Sequence, residues 1–122
     1  MIDHISLGVS DLERARMFYT AVLEPLGITP IYEFDDATGY GSVGNPFFWI
    51  GRSDNVKPER GLHVALAADS HEAVRAFHAA ALSAGATDNG PPGPRPQYTP
   101  TYYAAFVIDI DGHRLEAVCR KG

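Results

Sequence analysis

Residues 4–27 read HISLGVSDLERARMFYTAVLEPLG, and residues 63–86 read HVALAADSHEAVRAFHAAALSAGA. Laid over each other without a gap, at an offset of 59, they share His4/His63, Leu7/Leu66, Glu13/Glu72, Arg16/Arg75, Phe18/Phe77, Ala21/Ala80 and Leu23/Leu82. Ordinary residue usage would supply roughly one or two identities in a stretch this long, so seven mark an internal repeat. A repeated unit of this size cannot bury its apolar face alone, and two copies must pack together. The 122 residues fit one domain, so the copies are halves of it: module one over about 1–56 and module two over about 61–119, within a single domain 1–122.

Each half begins the same way. Ile5, Leu7 and Val9 alternate with His4, Ser6 and Gly8, the period of a strand. Asp11 then caps a helix whose apolar stripe is Leu12, Ala15, Phe18, Tyr19, Val22 and Leu26, closed by Pro25 and Gly27. Three strands are expected near 28–34, 38–43 and 46–52, separated by turn signals at Asp35-Asp36 and Gly44-Asn45. The first half reads βαβββ. After the polar break Lys57-Pro58-Glu59-Arg60-Gly61, the pattern recurs: Leu62, Val64 and Leu66 alternate with His63, Ala65 and Ala67, and Ser70 caps a helix with Val74, Phe77, Ala81 and Leu82 inward. Residues 90–100 hold five of nine prolines and fit an ordered loop or a sheet edge. The chain closes with a hairpin around Asp111-Gly112. The expected fold class is α+β, two βαβββ modules forming a cupped mixed sheet with helices on the outer face.

The net charge of −5 and the scattered Lys and Arg offer no basic surface for phosphates, which argues against nucleic acid. One cysteine, Cys119, permits no internal disulfide, and it reads as a packed thiol. No apolar run approaches the ~20 residues of a membrane helix, and a strand starting at Ile2 leaves no room for a leader, so a soluble cytoplasmic protein is expected.

The alternation puts His4 and His63 opposite the apolar faces of their strands. For the terminal hairpin, a two-residue loop Asp111-Gly112 and a four-residue loop 109–112 both put odd residues of the first strand on a face with even residues of the second. Tyr103, Ala105 and Val107 would then share the open face with Arg114, Glu116 and Val118. The same logic around Gly44-Asn45 groups Tyr40 and Ser42 with Phe47 and Trp49. Two histidines and a carboxylate on the open face of one sheet suit a three-ligand divalent metal site, since neutral imidazole and carboxylate bind such ions and leave positions for substrate. Tyr40, Phe47, Trp49 and Tyr103 would line an aromatic cleft, and Arg114 would hold a substrate anion. By itself each histidine reads more readily as a hydrogen-bonded packing residue of its strand; the repeat is what pairs them.

The segments DHISLGVSDLERARMFYTAVLEPLG, LHVALAADSHEAVRAFHAAALSAGA and DIDGHRLEAV resemble the vicinal oxygen chelate superfamily: glyoxalase I, fosfomycin-resistance thiol transferases, extradiol dioxygenases and bleomycin-resistance proteins. The resemblance covers nearly the whole chain. It implies a cup commonly completed by a second subunit, hence a homodimer, with metal ligands on the first and last strands of each module, here His4, His63 and Glu116. Where glyoxalase I has a fourth ligand, a glutamate, this chain aligns Trp49. The resemblance therefore implies Lewis-acid chemistry on a small oxygen-bearing substrate by an ion such as Fe, Mn, Ni or Zn. The reaction class would be a glutathione-linked lyase or transferase, with glutathione as cosubstrate, or a dioxygenase. No general base is evident beyond Tyr103 or a metal-bound water. The alternative it implies is a metal-free protein that sequesters an antibiotic-like small molecule, as bleomycin-resistance proteins do.

Overall fold

The protein is described by a computed structural model over residues 1–122. Module one runs β1 (Ile5–Val9), α1 (Leu12–Leu23), a 3₁₀ turn (Glu24–Leu26), β2 (Thr29–Glu33), β3 (Ala37–Ser42) and β4 (Asn45–Arg52). Module two repeats the order as β5 (His63–Ala67), α2 (His71–Ser83), β6 (Thr87–Pro94), β7 (Tyr103–Ile108) and β8 (Arg114–Cys119). Each module forms its own four-stranded mixed sheet, ordered β1-β4-β3-β2 and β5-β8-β7-β6. The first strand lies parallel to the last, and the remaining pairs are antiparallel. The expected α+β architecture of two βαβββ modules is what the chain adopts.

Local chemistry starts each helix where expected. The Asp11 side chain accepts from the Arg14 amide and the Ser70 hydroxyl from the Ala73 amide, with Glu13 and Glu72 in the first turns where the helix dipole favours them. Leu12, Ala15, Phe18, Tyr19 and Val22 are buried, as are Val74, Phe77 and Ala81. Leu82 is exposed instead, and His78 takes a buried place on α2 by bonding Asp88 of the neighbouring β6 at 2.9 Å. The proline-rich stretch supplies β6, an edge strand with two register breaks, since proline lacks the donor a central strand needs. No helix is long and apolar enough to cross a membrane.

The hairpin register differs from the expectation, and the reason is loop length. Asp109 pairs with His113, leaving three residues, 110–112, in the loop, and Gly112 sits at φ +96°. An odd loop pairs even residues with even: Phe106 faces Glu116 and Ala104 faces Val118, while Ala105, Val107, Leu115, Ala117 and Cys119 turn into the core beneath α2. In module one the tight turn is Val43-Gly44, and a bulge follows at Tyr40/Gly41, where Asn45 O approaches too closely for any side chain but glycine's. Tyr40 thereby pairs with Phe48, and both face the helix.

The modules join through their helices and through the tip of the β7–β8 hairpin. That tip reaches the β1–α1 turn: Ser10 Oγ donates to Asp111 at 2.6 Å, His113 Nε2 to Gly8 O at 2.7 Å, and the buried Tyr19 hydroxyl to Asp109. Asp109 also accepts from the amides of Asp111 and His113, so one buried carboxylate shapes the loop and ties it to module one.

Candidate functional site

With the helices covering one face of each sheet, the other faces are left as two open half-cups. On sheet two, parallel pairing of β5 and β8 puts His63 and Glu116 on the open side, and His63 Nε2 donates to Glu116 Oε1 at 3.0 Å. The Glu116 side chain is only 2 % exposed, whereas that of His63 is 52 % exposed. A carboxylate this buried needs partners on both oxygens. The second partner is Tyr102, whose hydroxyl donates to Oε2 at 2.5 Å. Burial and the adjacent carboxylate push the Tyr102 phenol up to about 12, so it remains a donor. Arg120 lies 4.9 Å over the Tyr102 ring, and Tyr98 packs against it edge-on. With Phe106, Gln97 and Thr99 these residues line a cavity of about 530 Å³. Arg95 braces the proline-rich wall, donating to Pro91 O and Gly93 O at 2.8 Å while stacking on Phe106.

On sheet one, His4 precedes β1 and lines a separate cavity of about 470 Å³ with Ser6, Gly8, Trp49, Gly51, Arg52 and Ser53. Its Nδ1 donates to Asp3 at 2.7 Å, which leaves Nε2 free for a ligand. His4 and His63 also both line a third cavity of about 430 Å³ between the modules, with Ile2, Phe47 and Leu62.

The structure corrects three features of the expected site. His4, His63 and Glu116 do not lie on one sheet, because β1 and β5 belong to separate sheets; within one chain no three His, Cys, Asp or Glu side chains gather to hold an ion. Tyr103 is not in the cleft: with even residues facing Glu116, its ring turns to α2 and stacks on His71 at 3.9 Å, and its hydroxyl accepts from Arg75 at 3.2 Å. Tyr40 is buried against α1, its hydroxyl bonded to Thr20 at 3.1 Å. Of the remaining cleft residues, Trp49 lines the His4 cavity and Phe47 the inter-module one. Arg114 lines a small crevice with Leu7, Glu59 and Leu62, and its Nε is buried without a partner. Tyr102, Arg120 and Asp3 are the site residues that sequence reasoning missed. The Tyr102-Tyr103 doublet carried a signal, since adjacent strand residues face opposite ways and one of the two had to point into the cup.

The donor chemistry suits a divalent ion. Two ligands held about 2.1 Å from one ion at right angles lie roughly 3.0 Å apart, and His63 Nε2 and Glu116 Oε1 are separated by 3.0 Å. One chain therefore presents a preformed pair and, apart from it, a single histidine with a free nitrogen.

Paired βαβββ modules with open sheet faces are the architecture of glyoxalase-like proteins. Residues 1–117 match the family model Glyoxalase/Bleomycin resistance protein/Dioxygenase superfamily, and the chain belongs to that family. It is similar to a glyoxalase/bleomycin resistance protein from Albidiferax ferrireducens T118, with 34 % identity over 96 % of this chain and 97 % of that one and a TM-score of 0.87. Two further structures share the fold. A fosfomycin resistance protein, FosX, from Listeria monocytogenes is 21 % identical over 98 % of this chain and 92 % of that one, with a TM-score of 0.73. A glyoxalase/bleomycin resistance protein/dioxygenase family enzyme from Burkholderia phytofirmans PsJN is 17 % identical over 98 % of both chains, with a TM-score of 0.73. A search of the curated proteins returns no match.

Proposed function

We propose that the protein is a metal-dependent enzyme acting on a small oxygen-bearing substrate. His63 and Glu116 of one protomer and His4 of a second copy would hold one divalent ion. The observation that carries this reading is the His63–Glu116 pair, 3.0 Å apart on the wall of an open cavity, with Glu116 buried and oriented. A bound divalent ion would supply Lewis-acid stabilisation of negative charge developing on a substrate oxygen. The chain's own part is to orient and to exclude water. Tyr102 occupies Glu116 Oε2 and leaves Oε1 directed at the His63 nitrogen, while Asp3 holds the His4 ring through Nδ1 and leaves Nε2 for the ion. Pairing the open face of sheet one with that of sheet two from another protomer would close the two half-cups into one chamber, which supports a homodimer. Trp49 at the fourth position leaves room for substrate where a fourth ligand would stand. Glutathione-linked lyase or transferase chemistry and dioxygenation both fit such a chamber.

The test is metal stoichiometry. Protein purified without a histidine tag is stripped with chelator, dialysed against Mn²⁺, Fe²⁺, Ni²⁺ or Zn²⁺, and assayed by elemental analysis. One ion per protomer is expected, with loss of binding in His63→Ala and Glu116→Ala. Metal content near zero, unchanged by either substitution, would instead favour the metal-free small-molecule binder, a reading supported by the aromatic rings on both half-cups.

A further inference from the structure

We propose that the cavity on sheet two holds its substrate by a carboxylate at Arg120, so that the substrate is a small monocarboxylic acid with an apolar body; this names the substrate class for the site described above and rests on that reading. In the antiparallel register Tyr103 pairs with Cys119 and Ala104 with Val118. The flanking residues Tyr102 and Arg120 therefore fall side by side on the open face that Phe106 and Glu116 share. The Tyr102 ring reaches back along the sheet until its hydroxyl meets Glu116 Oε2 at 2.5 Å. Arg120 stacks on that ring, its guanidinium carbon 4.9 Å from the centroid. The stack draws a cation from the end of β8 toward the His63–Glu116 pair, and all four side chains line one cavity of about 530 Å³.

Stacking occupies the face of a guanidinium and leaves its planar fork of N–H donors open. No group of the chain fills that fork. Arg120 takes part in none of the ion pairs, and the cavity's own carboxylate, Glu116, has its oxygens taken by His63 and Tyr102. Arg95, stacked on Phe106, differs: its N–H groups are committed to the carbonyls of Pro91 and Gly93. Gln97, Tyr98 and Thr99 line the same cavity, and their side chains hydrogen-bond to no other residue. A tight turn carries them, closed by Arg95 N to Tyr102 O at 2.7 Å and Tyr98 N to Arg95 O at 3.0 Å. An amide, a phenol and a hydroxyl beside an open guanidinium suit a ligand rich in acceptors. Arg120 is the one Lys or Arg on the cavity wall, and this sets the ligand's charge. One guanidinium matches a carboxylate oxygen for oxygen, whereas a doubly charged phosphonate would leave a charge unmatched near Glu116. Phe106 and Tyr98 supply apolar wall for the ligand's body.

The probe is 4-fluorophenylacetate, titrated into chelator-treated protein and followed by fluorine NMR. Saturable binding is expected, about tenfold weaker in Arg120→Gln for loss of the charge-assisted contact. It should be unchanged in Arg14→Gln, which removes the same charge from an exposed position on α1. Phenylacetate should displace the probe, and both phenylacetamide, without the charge, and phenylphosphonate in its doubly charged form should displace it less well. Shifts that never saturate, displacement by the amide or the phosphonate equal to or stronger than that by phenylacetate, full affinity in Arg120→Gln, or an equal loss in Arg14→Gln would each overturn the proposal. Arg120 is exposed, so its replacement leaves the core intact. Because no metal is present, failure here leaves the metal reading standing, and a negative metal titration leaves this binding measurable.

Discussion

Val43 occupies φ +52° and is fully exposed in the Val43-Gly44 turn, so a β-branched side chain sits in the left-handed region with no contact to compensate. Asparagine tolerates that conformation, and Asn-Gly is the preferred pair for such a turn. Val43→Asn should therefore raise the unfolding free energy by about 1 kcal/mol, read as a higher urea midpoint with an unchanged m-value. At the site, Tyr102→Phe keeps the ring beneath Arg120 but removes the hydroxyl from Glu116 Oε2. Metal affinity measured by calorimetry should fall about tenfold, the usual effect of removing a partner that orients a ligand. An unchanged affinity would show that Glu116 needs no such partner.

At the scale of the element, loop length decides which side chains meet. One residue more or less in a hairpin exchanges the faces of a strand, and this is why Tyr103 stacks beneath α2 while Phe106 faces Glu116. The odd loop has a second role, because its tip docks on module one through Asp109, Asp111 and His113. Asp109→Ala would orphan the buried Tyr19 hydroxyl and two loop amides at once, and should cost about 2–3 kcal/mol in denaturant unfolding. The same contact makes a pH prediction. Burial and Asp109 push the Tyr19 phenol well above its ordinary value of 10.0. The folded state then keeps a proton that the unfolded chain releases, so stability present below pH 10 is lost as pH rises beyond it. Tyr40 and Tyr102, also raised, act with the same sign. Melting temperature should fall above pH 10, and less steeply in Tyr19→Phe than in wild type.

For the whole molecule, the proposed chamber draws His4 from one copy and His63 with Glu116 from another, which permits complementation. His4→Ala and His63→Ala should each lose metal alone. After unfolding and refolding together in equal amounts, random pairing would make half the dimers mixed, each with one intact site, restoring about a quarter of wild-type metal content. No recovery above the single variants would exclude a shared site. The repeat, the two βαβββ modules, both helix caps and the placing of His63 and Glu116 on one open face were legible in the sequence. All depend on near neighbours: strand alternation, helical spacing and a capping side chain three residues from its amide. Which aromatic rings face the cup was not legible, because it turned on a three-residue loop after Asp109 and a bulge at Gly41. Nor was the Tyr102 contact with Glu116, which spans β7 and β8, or the separation of His4 from the other two. Those are decided by how two four-stranded sheets dock through α1, α2 and a hairpin tip, contacts between residues about a hundred positions apart that no local pattern encodes.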